Sequence, residues 1–102
     1  MEYNYTVELE SELGKRNGTM QVFISGSKIN GVLSILNHSE PFWGYIDTDG
    51  KCVLNGKIVT LIREFNYTAT GTILSKSISL DIYSDKSKFK LKGSVYNIAK
   101  NE

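Results

Sequence analysis

Apolar and polar residues alternate along most of this chain, and this feature limits its possible folds more than any other. In one segment Ile78, Leu80 and Ile82 alternate with serine and aspartate. A period of two is typical of β-strands that bury one face, and no segment keeps the 3.6-residue period of a helix. We therefore predict an all-β protein. The segments with clear alternation are 3–9, 19–25, 65–74, 77–84 and 87–96.

Three further segments carry apolar residues on both faces and are also predicted to be strands. They are 29–36, 41–47 and 51–62. Asn55-Gly56 could divide the last of them into two strands, because Asn-Gly is a strong hairpin signal, but we favour one continuous strand. The remaining turn signals are expected to separate the strands, giving about eight strands joined by hairpins. These signals lie at 16–18, 25–28, 37–39, 48–50, 75–76 and 84–86.

Five glycines recur at equivalent places in these strands. Each is flanked, two residues away on either side, by apolar or small residues that share its face. The five are Gly31, Gly44, Gly56, Gly71 and Gly93. Glycine weakens a strand, so a repeated inward glycine indicates a geometric need such as the sharp coiling of a small barrel. Chance in a glycine-tolerant β-protein is the alternative.

The charges of the first and last strands favour closure of the sheet. Glu8 and Glu10 lie on the outward face of the first strand, and Lys88, Lys90 and Lys92 lie on that of the last. These strands become antiparallel neighbours in an even-stranded up-and-down barrel, where opposite charges attract. We predict a single all-β domain over 1–102, an eight-stranded antiparallel up-and-down meander closing into a small barrel, with a flexible tail at 97–102.

A family resemblance accompanies this pattern. The short-strand meander and the phrases Val53–Ile58 and Tyr67–Ile73 resemble the small bacterial calycin-like (lipocalin-like) barrels. The resemblance implies the barrel fold and carries over no functional residue.

The sequence offers little material for catalysis or metal binding. With one cysteine and one histidine, the chain cannot form an internal disulfide or a cysteine-based zinc cluster. His38 is expected in an exposed turn, Cys52 in the core, and Asp47-Thr48-Asp49-Gly50 in a hairpin turn rather than a calcium loop. We therefore predict no catalytic residue, no metal and no cofactor, and we do not expect an enzyme.

Composition also bears on partners and location. The formal net charge is only +1 over 102 residues, so a nucleic-acid partner for the lysines of the last strand is not favoured. No basic-apolar leader is visible, and no apolar stretch approaches the roughly 18 residues that span a bilayer. A cytoplasmic protein is the default expectation, with a domain excised from a secreted protein as the alternative.

Our first functional hypothesis is that the protein is a non-enzymatic interaction module, and it rests on an outward apolar face. If the recurring glycines point inward, several large apolar residues of the central strands point outward. Exposed apolar patches usually mark partner sites, so self-association, as in a homodimer, or docking of another protein is expected. The predicted face comprises Phe23, Val32, Trp43, Tyr45, Val53, Val59 and Leu61.

The alternative hypothesis is a carrier of a small apolar ligand inside the barrel. Inward aromatic side chains would then line the pocket. Plain filling of the core is the competing explanation, because an eight-stranded barrel is just wide enough for its side chains. The predicted pocket residues are Tyr3, Tyr5, Phe42, Phe65, Tyr67 and Phe89.

Overall fold

The chain forms a closed β-barrel. The computed structural model describes residues 1–11, 14–60, 64–85 and 87–96, and this part contains no helix that could cross a membrane. Each strand pairs antiparallel with the next, and the last pairs with the first, which confirms the predicted all-β meander. The strands are β1 (Glu2–Ser11), β2 (Gly14–Ser25), β3 (Lys28–Ile35), β4 (His38–Ile46), β5 (Lys51–Val59), β6 (Glu64–Ile73), β7 (Ser77–Tyr83) and β8 (Lys88–Val95).

The alternating pattern decides which side chains fill the interior. Apolar residues of all eight strands form one buried cluster, with Tyr5, Phe42 and Met20 among its largest fully buried members. Removing such a side chain from water stabilises the fold by roughly 1.5–3 kcal/mol. The polar residues between them face outward.

Glycines stand inside the barrel where neighbouring strands approach closely. Gly31 lies between Val22 on β2 and Phe42 on β4, both of which point into the core. A β-carbon at Gly31 would fall on the carbonyl oxygen of Gln21 and against the Phe42 ring. The predicted inward orientation therefore has a steric basis.

The predicted turn at 16–18 is wrong. These residues belong to β2, which begins at Gly14, and Gly18 lies opposite Val7 and Ile35 on the inward face. The Asn17-Gly18 pair resembled a hairpin turn, but its glycine gives the backbone of β3 room, since a β-carbon would meet the carbonyl oxygen of Ser34.

Two other predicted boundaries need adjustment. The turn expected at 37–39 is formed by Leu36 and Asn37, with φ angles of 56° and 66°, and His38 already begins β4. Two successive positive φ angles are typical of a tight two-residue hairpin turn. The segment expected at 51–62 continues through Asn55-Gly56 as favoured and ends at Val59. Residues 61–62 and the predicted tail 97–102 lie outside the described residues.

The closing seam between β1 and β8 joins opposite charges as the sequence indicated. Glu8 lies opposite Lys92, and Glu10 lies opposite Lys90. Glu8 also forms an ion pair with Lys15 of β2, at 3.9 Å between Oε1 and Nζ. The seam therefore joins the two strands that the charge pattern predicted to be neighbours.

Candidate functional site

Large apolar side chains are exposed on one side of the barrel. Tyr45 is 66% exposed, Trp43 57%, Val53 47% and Phe23 38%, while Val32 beside them is half-buried. We call these five residues the apolar face. They are five of the seven residues predicted for an interaction surface.

The register of β2 to β5 brings the apolar face together. Tyr45 lies directly opposite Val53, and Trp43 is two residues before Tyr45 on the same side of β4. Val32 and Phe23 continue the face diagonally across β3 and β2. Residues on one side of neighbouring strands contact each other in this way.

The structure does not join the other two predicted residues to this face. Val59 lies near the far end of β5, separated from Val53 by the outward residues Asn55 and Lys57. It is half-buried and lies opposite Glu64. Leu61 lies outside the described residues.

The charges at two edges of the apolar face have opposite signs. Glu2 lies opposite Phe23 at the β1 edge, where its Oε2 accepts a hydrogen bond from Gln21 Nε2 at 3.0 Å. Lys28 lies opposite Tyr45 at another edge. The outward residues Asn30 and Pro41 within the face are uncharged.

Four of the six aromatic residues predicted to line a ligand pocket lie in pairs near the two ends of the barrel. Tyr3 and Tyr5 lie near one end, 6.1 Å apart between ring centroids, and Tyr5 Oη donates a hydrogen bond to the carbonyl oxygen of Leu74 at 2.5 Å. Phe65 and Phe89 stack near the other end, with centroids 5.8 Å apart.

The remaining two predicted pocket residues lie in the core. Phe42 and Tyr67 face each other across Gly56 and are 1% and 6% exposed. Both belong to the same packed cluster as Tyr5. The six side chains therefore form one end pair, a second end pair, and a central pair rather than a single group.

Burial keeps the ionisable core residues in their neutral forms. It raises the pKa of Tyr67 to about 12 and, with a smaller contribution from Tyr3, that of Tyr5 to about 12. The pKa of the Cys52 thiol rises to about 11, chiefly through burial and also through the charge of Asp47. Because a reactive cysteine needs a depressed pKa, Cys52 has the character of a core residue.

The acidic turn after β4 is held together by hydrogen bonds between an aspartate side chain and the backbone of the same turn. Asp47 Oδ1 accepts hydrogen bonds from the backbone N–H groups of Asp49 at 2.8 Å and Lys51 at 3.0 Å. This arrangement is typical of an aspartate that caps a turn. Across the described residues, no group of three or more His, Cys, Asp or Glu side chains could hold a metal ion.

A groove adjoins the apolar face at Trp43, and sequence reasoning missed it. It is open to solvent and measures about 720 Å³. Trp43, Asn55, Thr68 and Tyr83 are successive register partners across β4 to β7 and form its main row. The groove is lined by Trp43, Asn55, Gly56, Asn66, Tyr67, Thr68, Tyr83, Ser84 and Asp85.

This groove has no signal in any single strand. Asn66 and Thr68 follow the same alternating pattern as ordinary solvent-facing residues, and Tyr83 ends β7 without a distinctive motif. The four strands must be aligned in register before the row becomes visible.

Comparison of the chain with protein-family models, curated proteins and solved structures finds no match.

Proposed function

We propose that this protein is a non-enzymatic interaction module that associates with a second copy of itself through the apolar face. The observation that supports the proposal most directly is the exposure of Trp43, Tyr45 and Val53 as neighbours on β4 and β5. Tryptophan and tyrosine are the side chains that most often anchor protein interfaces. A contiguous exposed apolar surface is also costly to leave in water.

The charge distribution favours a second copy as the occupant. In a two-fold symmetric dimer the apolar face of one copy packs against the apolar face of the other. A charge at one edge of the face can then approach a different edge of the face on the other copy. Glu2 and Lys28 stand at different edges of the face with opposite signs. The formal net charge of +1 leaves little overall repulsion between two chains.

Sedimentation velocity and light scattering of the purified protein test the proposal. We expect a species of twice the 11.4 kDa chain mass that dissociates on dilution. Val53→Lys buries a charge in the interface and should give a monomer. Ser79→Lys adds the same charge at an exposed position on β7, away from the apolar face, and should leave the dimer intact.

Two results would contradict self-association. One is a monomer at millimolar concentration, and the other is a dimer that Val53→Lys does not weaken. Melting temperatures of both variants, compared with the parent protein, establish that a change in mass does not arise from unfolding.

The barrel fold agrees with the resemblance to calycin-like proteins, and we propose that the chain is related to them. The packing of Tyr5, Phe42 and Tyr67 in the core cluster supports core filling over the alternative of an internal apolar carrier. Native mass spectrometry separates the two hypotheses. A carrier should retain the mass of a small ligand, whereas an interaction module should show only the masses of one and two chains.

A further inference from the structure

We propose that the groove between Trp43 and Tyr83 binds a neutral oligosaccharide. This site shares Trp43 with the apolar face, so sugar binding and self-association compete for the exposed ring of that residue. The groove extends from Trp43 on β4 over β5, β6 and β7, whereas the apolar face extends over β2, β3, β4 and β5. Three features of the groove point to a sugar: its aromatic ends, its polar floor and its charge.

Exposed aromatic rings stand at both ends of the groove. Trp43 is 57% exposed and Tyr83 is 42% exposed, so each keeps a large ring surface in water. Flat aromatic surfaces pack against the apolar C–H faces of sugar rings, and the hydroxyl groups of the sugar remain free to form hydrogen bonds. Three strand spacings separate the two residues, roughly 14 Å at the backbone, which suits several linked sugar rings better than one.

The floor between the aromatic ends consists of amides and a hydroxyl. Asn55 and Thr68 lie in the row itself, and Asn66 lies beside them on β6. Thr68 Oγ1 donates a hydrogen bond to Asn55 Oδ1 at 3.3 Å, which orients the amide of Asn55. Amide and hydroxyl groups can both donate and accept, and sugar hydroxyls require partners of this kind.

The charge of the groove argues against a phosphate-bearing ligand. Among the described residues that line it, Asp85 alone is charged, and it is negative. The nearby Lys88 lies over Tyr83, with Nζ 5.6 Å from the ring centroid. Binding of a nucleic-acid strand depends on several cations along the backbone, so a neutral polyhydroxylated ligand fits better.

The chain supplies its own reporter for this binding, because Trp43 is the single tryptophan. We would titrate the protein with cellohexaose, xylohexaose and chitohexaose and follow tryptophan fluorescence. At least one of them should produce a saturable change. Tyr83→Ala and Asn66→Ala should each weaken the binding about tenfold, the effect of losing one stacking or hydrogen-bonding group.

Matched controls lie outside the groove. Tyr96→Ala removes another exposed tyrosine, and Asn17→Ala removes an exposed asparagine of β2 that does not line the groove. Both controls should bind as the parent protein does. Val53→Lys, designed to abolish self-association, leaves Trp43 uncovered and should bind the sugar at least as tightly as the parent protein does, so failure of the dimer and failure of the sugar site are distinguishable.

Three outcomes would overturn the sugar site. The first is the absence of a saturable change with all three oligosaccharides. The second is binding that Tyr83→Ala and Asn66→Ala leave unchanged while both variants melt as the parent does. The third is tighter binding of oligothymidylate than of any sugar, which would assign the groove to single-stranded nucleic acid.

Discussion

Gly44 has no space for a side chain, although its backbone conformation is open to other residues. A β-carbon at this position would fall on the carbonyl oxygen of Val53 and within 3.0 Å of the Leu54 Cα. These contacts involve the backbone of β5, which cannot rotate away as the end of a side chain can. The requirement for glycine here comes from the close approach of two strands.

Gly44→Ala should therefore destabilise the protein severely. We expect a loss of about 3 kcal/mol, at the upper end of the cost of overpacking a core. The control is Gly26→Ala in the β2–β3 turn, where nothing lies within 4 Å and only the φ of 64° opposes a side chain. That strain costs roughly 1–2 kcal/mol. Urea denaturation of both variants measures the difference.

An equal loss of stability in the two variants would contradict the close approach of β4 and β5. Gly44 also adjoins Trp43 and Tyr45 of the apolar face. The same steric requirement therefore positions part of the proposed interface.

Among the elements, the pairing of β1 with β8 determines whether the sheet closes. A row of alternating charges crosses this seam on the outside, running from Asp81 on β7 through Lys90 and Glu10 to Lys15 on β2. Each member lies opposite a residue of the other sign. Such pairs contribute about 0.2–1 kcal/mol each.

Glu10→Lys should weaken the seam by placing three positive charges in succession. We expect a loss of about 1 kcal/mol at low ionic strength. This loss should shrink in high salt, because exposed charges are screened. Glu10→Gln removes the charge without reversing it and should cost less. Chemical denaturation at two salt concentrations measures both variants, and a loss independent of salt would show that charge does not explain it.

The elements also show how far sequence reasoning reaches. Strand identity in β7 and β8 follows from alternation alone, and the charges of Glu10 and Lys90 predict the neighbours at closure. Alternation does not predict the start of β2, because an Asn-Gly pair such as Asn17-Gly18 occurs both in hairpin turns and in strands. Here Gly18 lies in a strand and leaves space for the backbone of Ser34. Local sequence cannot distinguish these cases, since the deciding contact comes from another strand.

The candidate sites divide in the same manner. Residues of the apolar face could be predicted wherever an inward glycine indicates which side chains of its strand point outward. Gly44 does this for Trp43 and Tyr45. The groove depends on the alignment of β4 to β7, so Asn66 and Tyr83 became visible only in the structure. Register is a property of paired strands and is encoded by the whole set of contacts.

For the molecule as a whole, closure of the barrel encloses two tyrosine side chains that titrate only at high pH. Tyr5 Oη donates to the backbone of Leu74, and Tyr67 packs beneath Gly56. Burial raises the pKa of both from 10.0 to about 12. The folded state therefore holds these protons more tightly than the unfolded chain does.

Stability should consequently fall as the pH rises through the window from 10 to about 12. In this window the unfolded chain releases the tyrosine protons first, which favours unfolding by up to ~1.4 kcal/mol per pH unit for each tyrosine. Below pH 10 this contribution to stability is fully present. Tyr67→Phe removes one of the two groups and should make the fall shallower while leaving the fold intact at neutral pH. Urea denaturation at intervals across this window measures the slopes, and equal slopes for the variant and the parent would show that the Tyr67 hydroxyl is not held neutral by the closed barrel.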